Sequence, residues 1–171
     1  MSWSSEYQLL EHEESSLRTK KEMRYYLRHF RRHDSFAALV LSKGEWFLGR
    51  ANVDDSEATK RWKKKNRPRA QECFYNAQRF CMNCRGRYFE GYMFIGGLPM
   101  HHAWVAMDDG RVVDFTIEAV LRKARREKTL VDLTDPLYCG VEVPRKFVLR
   151  RVVESGSSDP MAELYYVDES T

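Results

Sequence analysis

Long apolar runs are missing from this sequence. The longest, Phe36 to Leu41, falls far short of the ~20 residues that a membrane-spanning helix requires, so no membrane role is expected. The opening residues, MSWSSEYQLLEHEESS, lack a basic region followed by an apolar one, and no secretory signal is expected. Cysteine is scarce. Four in 171 residues (Cys73, Cys81, Cys84, Cys139) do not make a disulfide framework in a chain of this length. They read as reduced thiols in a cytoplasmic protein. No internal repeat is visible. With 43% apolar and 32% charged residues, wholesale disorder is excluded as well.

What is present is a single-domain composition with unevenly placed charge. The formal net charge is only +4, yet Lys60 to Arg69, KRWKKKNRPR, holds seven basic residues and no acidic one. A second basic group, Arg18 to Arg32, lies on an expected amphipathic helix, in which Met23, Tyr26, Leu27 and Phe30 follow helical spacing. FAALVLSKGEWFLGR reads as two strands around Lys43-Gly44. Asn52 to Ala70 reads as a long polar loop, of a length that is usually functional or mobile. In QECFYNAQRFCMNCRG, Phe74, Ala77, Phe80, Cys81 and Cys84 share one helical stripe, and Gly86 is the expected stop. RYFEGYMFIGG, MHHAWVAM and RVVDFTIE read as three strands. IEAVLRKARREK reads as a short basic helix and YCGVEVPRKFVLRRVV as a bent pair of strands broken at Pro144. MAELYYVDEST reads as a tail or a last strand. The sum is an α+β fold, with a tail and helix over 1–35, a core over 36–153 and a linker and tail over 154–171.

Cys73 stands at the expected start of the buried helix. A helix N-terminus favours the thiolate, the reactive form of cysteine, and its exposed N–H groups can hold a developing oxyanion. Cysteine is also a common small core residue. The hairpin downstream adds chemistry. A two-residue Asp109-Gly110 turn puts Asp114 on the face of His101. A three-residue Asp108-Asp109-Gly110 loop, closing with glycine in the left-handed region, pairs Met107 with Arg111 and puts Asp114 on the face of His102. There the two are diagonal neighbours, roughly 7–8 Å apart at the backbone. The pattern allows both. In either case a buried aspartate between Val113 and Phe115 needs a partner, and a carboxylate fixes the tautomer and orientation of a histidine.

These residues, taken in order, resemble the transglutaminase-like branch of the papain-like cysteine enzymes. The matching elements are Cys73 at a helix start, Gly91-Tyr92, His102-Ala103-Trp104 and Asp114-Phe115-Thr116. Small prokaryotic and phage proteins of this type are also similar in a Gln-Cys-aromatic start and in a Tyr-x-Gly-Val segment, here Tyr138-Cys139-Gly140-Val141. The likeness spans about residues 71 to 141. Phe115 stands where the family usually has proline, and Glu72 separates Gln71 from Cys73. The resemblance implies a papain-like core, a helix carrying the nucleophile packed on an antiparallel sheet, and a Cys73–His102–Asp114 triad. It implies acyl transfer from an amide: Cys73 attacks, His102 moves the proton, Asp114 orients His102, and the Cys73 N–H with the Gln71 side chain holds the oxyanion. A protein or peptide is the expected substrate, and the chemistry requires no cofactor.

Other features carry less. Cys81-Met-Asn-Cys84 lacks a second pair for zinc and reads as packing, so no metal is expected. His101 points away from His102 on a strand and reads as exposed or structural. Tyr92 and Trp104 are candidates for lining a substrate cleft, although aromatics on strands more often belong to the core. Lys63, Lys64 and Lys65 are candidates for holding an acidic substrate, an acidic partner or nucleic acid, with Trp62 available to stack on a base. The competing expectation is a non-catalytic module with the same fold that binds through its basic surface.

Overall fold

The computed structural model describes residues 19–48, 56–83, 86–95, 98–127 and 136–168. Its elements in chain order are α1 (19–30), α2 (Ser35–Lys43), β1 (Glu45–Leu48), α3 (Glu57–Asn66), α4 (Cys73–Asn83), β2 (Arg87–Ile95), β3 (Leu98–Ala106), β4 (Val112–Val113), α5 (Phe115–Glu127), β5 (Leu137–Val143), α6 (Arg145–Ser155) and α7 (Ala162–Asp168). The class is α+β, as expected. One curled sheet runs in the order β1-β5-β2-β3-β4, with every neighbouring pair antiparallel.

The sheet buries both faces, so alternate residues of one strand enter different cores. On one face, Tyr88, Tyr92, Phe94, Ala103, Val105, Cys139 and Val141 pack against residues of α1, α2, α4 and α6. On the other, Phe47, Phe89, Met93, Trp104 and Tyr138 pack with Val112 and with Ile117 of α5. The segments expected to flank the core contribute to it: Met23, Leu27, Met161 and Ala162 are all in the first cluster.

Five elements differ from the sequence reading. The apolar run expected as the first strand of a pair is helix α2. Asp34 starts it, accepting the N–H groups of Phe36 and Ala37 at 2.9 and 3.1 Å, and Phe36, Ala37 and Val40 are its buried side. Within the expected polar loop lies helix α3, capped by Ser56. The third expected strand is cut to Val112–Val113, because Asp114 accepts the N–H groups of Thr116 and Ile117 at 3.0 and 3.1 Å and so starts α5 at Phe115. Beyond Pro144 the chain is helix α6, not a second strand, and it closes on Gly156 in the left-handed region (φ 64°). Residues 162–168 are helical as well.

The three-residue hairpin is the one that forms. Met107 N–H donates to the Arg111 carbonyl and Gly110 N–H to the Met107 carbonyl, both at 2.9 Å, and Gly110 takes φ +80°. Val105 then pairs with Val113.

Candidate active site

The start of α4 is prepared by an irregular approach. Arg67 (φ 49°) closes α3 in the left-handed region, and Gln71 (φ 67°) adopts it again two residues before Cys73. A non-glycine residue there costs about 1–2 kcal/mol. The Glu72 carbonyl accepts the Asn76 N–H at 2.9 Å, so the N–H groups of Cys73, Phe74 and Tyr75 have no acceptor within the helix. Cys73 itself is 9% exposed. The Glu72 carboxylate beside it is held by Arg69, whose guanidinium lies 3.2 Å from both of its oxygens.

Asn76, one turn into the helix, fixes this approach. Its amide oxygen accepts the Arg69 N–H at 3.1 Å. Its amide nitrogen donates to the Arg69 carbonyl at 2.7 Å and to Thr116 Oγ1 at 2.9 Å. Helix α4, the loop before it and the first turn of α5 are thereby joined at a fully buried point.

His102 and Asp114 meet as the three-residue hairpin requires. His102 Nε2 is 2.6 Å from Asp114 Oδ2, and both side chains are almost wholly buried. A carboxylate only accepts, so Nε2 carries a proton and donates it to Asp114. Burial would lower the His102 pKa. The Asp114 charge and hydrogen bond, with the Cys73 side chain as hydrogen-bond partner and charge, outweigh that and raise it to about 10. For Asp114, burial acts to raise the pKa, but the His102 charge and hydrogen bond, the Ile117 N–H and the Tyr138 hydroxyl hold it below the ordinary value of 3.8. The pair is an imidazolium and a carboxylate over the neutral range, with the Cys73 side chain as a further partner of the ring. The Tyr138 hydroxyl donates to the same Asp114 Oδ2 at 2.9 Å.

The remaining site candidates fall elsewhere. Trp104 is completely buried, packed on Phe89 and Tyr138, so it is a core residue and not the wall of a cleft. Tyr92 is also interior (7% exposed) and donates its hydroxyl to Asp34 at 2.7 Å. Lys63 is tied to Glu118 at 2.9 Å, and its ammonium lies over the Phe115 ring. Lys64 and Lys65 are exposed on α3. Trp62 is not available to a base: it is stacked on Phe115, with ring centroids 4.6 Å apart, and set edge-on to Phe80. Gln71 is exposed. His101 is exposed in area, with its ring among Phe36, Phe74 and Tyr92. Cys84 lies outside the described residues, and among the described residues no cluster of histidine, cysteine and carboxylate side chains suits a metal ion. None of the described helices is long and apolar enough to cross a membrane.

Sequence reasoning gave no role to Asn76 or Tyr138. Asn76 left a trace, a polar residue at a core-facing position of α4. Tyr138 left only its place in the Tyr-x-Gly-Val segment. No protein-family model, curated protein or solved structure matches this chain.

Proposed function

We propose that the chain is a thiol-dependent acyl-transfer enzyme acting on amides, of the papain-like, transglutaminase-like kind that its sequence resembles. The observation that carries the reading is the buried His102–Asp114 pair at 2.6 Å, with the Cys73 side chain acting on the same imidazole. Buried ion pairs also serve structure alone, but here a helix-start thiol completes the set. Cys73 Sγ attacks the carbonyl carbon as the thiolate, its proton being the one held by the His102 imidazolium. The oxyanion of the tetrahedral intermediate is met by first-turn N–H groups of α4. The imidazolium then gives its proton to the departing nitrogen as the C–N bond breaks, leaving a thioester on Cys73. Water releases the acyl group as an acid in a hydrolase; an amine takes it in a transferase. Hydrolysis of a protein or peptide is the simpler outcome. Cys73, Cys81 and Cys139 are free thiols, which suits a reducing, cytoplasmic setting.

The test is alkylation by iodoacetamide, read at each cysteine by mass spectrometry. Cys73 is expected to react at least about tenfold faster than Cys81 or Cys139 at neutral pH, and His102→Ala is expected to erase the difference. Equal reactivity, or indifference to His102, would sink the enzyme reading.

One observation favours a second reading. Helix α3 exposes Lys60, Arg61, Lys64 and Lys65 one short loop ahead of Cys73. This surface fits an acidic polypeptide, as substrate or as the partner of a non-catalytic module. The burial of Trp62 removes the stacking group that single-stranded nucleic acid would use. The double charge reversal Lys64→Glu/Lys65→Glu should weaken binding of poly-glutamate at least several-fold and flatten its salt dependence. Unchanged binding, or a preference for an oligonucleotide over poly-glutamate, would remove the acidic-polypeptide reading.

A further inference from the structure

We infer that Tyr138 is a positioning residue for His102: its hydroxyl holds the Asp114 oxygen that faces the imidazole and so sets how firmly His102 keeps its proton. The purpose of this arrangement rests on the proposed reaction, but the arrangement can be tested without it.

Tyr138 belongs to β5, which β2 separates from β3. The side chain must therefore cross a strand to reach Asp114. In the sheet, His102 is in register with Gly91, and Gly91 with Gly140. This row carries no side chain on β2 or β5. The Trp104 ring occupies the space over Gly140, where a Cβ would come within 2.5 Å of it. Tyr138 lies beside that indole, with ring centroids 5.0 Å apart, and its ring is 6.1 Å from that of His102. The two glycines leave room for aromatic rings from β3 and β5 to converge at the histidine.

The hydroxyl is not explained by packing. A phenylalanine would fill the same space without burying a polar group. Nor does Asp114 lack donors, because Oδ1 already receives the Thr116 and Ile117 N–H groups and Oδ2 receives His102. The Tyr138 hydroxyl adds a second donor to Oδ2, at 2.9 Å against the 2.6 Å of His102. Shared in this way, Oδ2 presents less negative charge to the imidazolium. The groups facing His102 are Asp114, the Cys73 side chain and the Tyr138 ring, while His101 beside it in the chain acts from the opposite face of β3. Of these, only Tyr138 bonds to the oxygen that His102 uses without itself carrying charge. Its own ionisation is pushed far up, first by burial and then by the Asp114 charge and hydrogen bond, so it stays a donor throughout. An imidazolium held too firmly is a poor acid toward a leaving nitrogen, and one donor on its counter-ion relaxes that grip.

The experiment is an NMR titration of the His102 ring in a Cys73→Ala background, with and without Tyr138→Phe. Removing the hydroxyl should raise the His102 pKa by about half a unit or more. The rise should vanish when Asp114→Asn is also present, because Tyr138 acts through that carboxylate. A second readout leaves Tyr138 intact: its Cζ resonance should move with the His102 midpoint. Superimposable titrations, a shift that survives Asp114→Asn, or a Cζ resonance that ignores the midpoint would overturn the inference. Iodoacetamide reactivity of Cys73 is scored separately. A Cys73 that ignores His102 ends the catalytic reading, while the titration still decides whether Tyr138 tunes the histidine.

Discussion

His102 and Asp114 shift in opposite senses, and the two shifts fix where their pair supports the fold. The His102 pKa is raised from 6.5 to about 10. Its contribution to stability is complete below about 6.5 and is lost as pH rises through about 10. The Asp114 pKa is lowered from 3.8, so its contribution is complete above 3.8 and is lost as pH falls through its folded value. Melting temperature should therefore plateau over pH 4 to 6.5 and decline toward pH 10. In His102→Gln the alkaline decline should shrink, and an unchanged slope would mean that another group titrates there. Asp114→Ala strands a buried imidazolium, the Tyr138 hydroxyl and two N–H groups, and should cost about 3–5 kcal/mol by chemical denaturation. Cys73 was legible from a helix-start position; the His102–Asp114 diagonal was one of two that the turn allowed, and the family resemblance pointed to it. Tyr138 was not legible. Its bond to Asp114 spans 24 residues and exists only because β5 lies two strands from β3, an order that no local pattern states.

Elements were legible where period or turn chemistry marked them. The hairpin of β2 and β3 showed through its alternation, and α4 through its stripe. Helices α2 and α6 were misread for one physical reason. Both carry short runs rich in β-branched or large apolar residues, whose propensity points to strand, and packing overrode it. The terminal signals were present: Asp34 ahead of α2, and Pro144 and Gly156 around α6. The glycine row is a constraint of the same scale. Adding a methyl at Gly140 brings it within 2.5 Å of both the Trp104 ring and the Glu90 carbonyl. Gly140→Ala should cost about 1–3 kcal/mol through overpacking and change the Trp104 fluorescence. If the melt and emission are unaltered, the row is looser than described. Phe115, stacked on Trp62 and set edge-on to Phe80, anchors the first turn of α5. Its truncation to alanine should cost about 3–5 kcal/mol.

The whole molecule is tied together by contacts between distant parts of the chain. Glu90 is fully buried on β2 and accepts the Tyr88 hydroxyl and the Met161 and Ala162 N–H groups at 2.7 to 3.0 Å. Burial raises its pKa, against these hydrogen bonds. Glu90→Ala leaves several buried donors without an acceptor, each worth about 1–3 kcal/mol. Amide exchange over 161–168 should then accelerate well beyond that of β2 and β3, and uniform acceleration would argue against a local anchor. Ser35 reaches Glu163, and Gln78 reaches the Asp159 carbonyl, so the same C-terminal region also holds α2 and α4. The strand order has a consequence in time. The last strand to be synthesised, β5, fills the gap between β1 and β2. Until the ribosome has released residues beyond 143, β1 has no neighbour and the hairpin of β2 and β3 has one bare flank. Closure of such distant pairs is slow. A growing chain therefore carries Cys73, His102 and Asp114 in place along its length before it carries the strand that completes the sheet, and the donor from Tyr138 is fitted last.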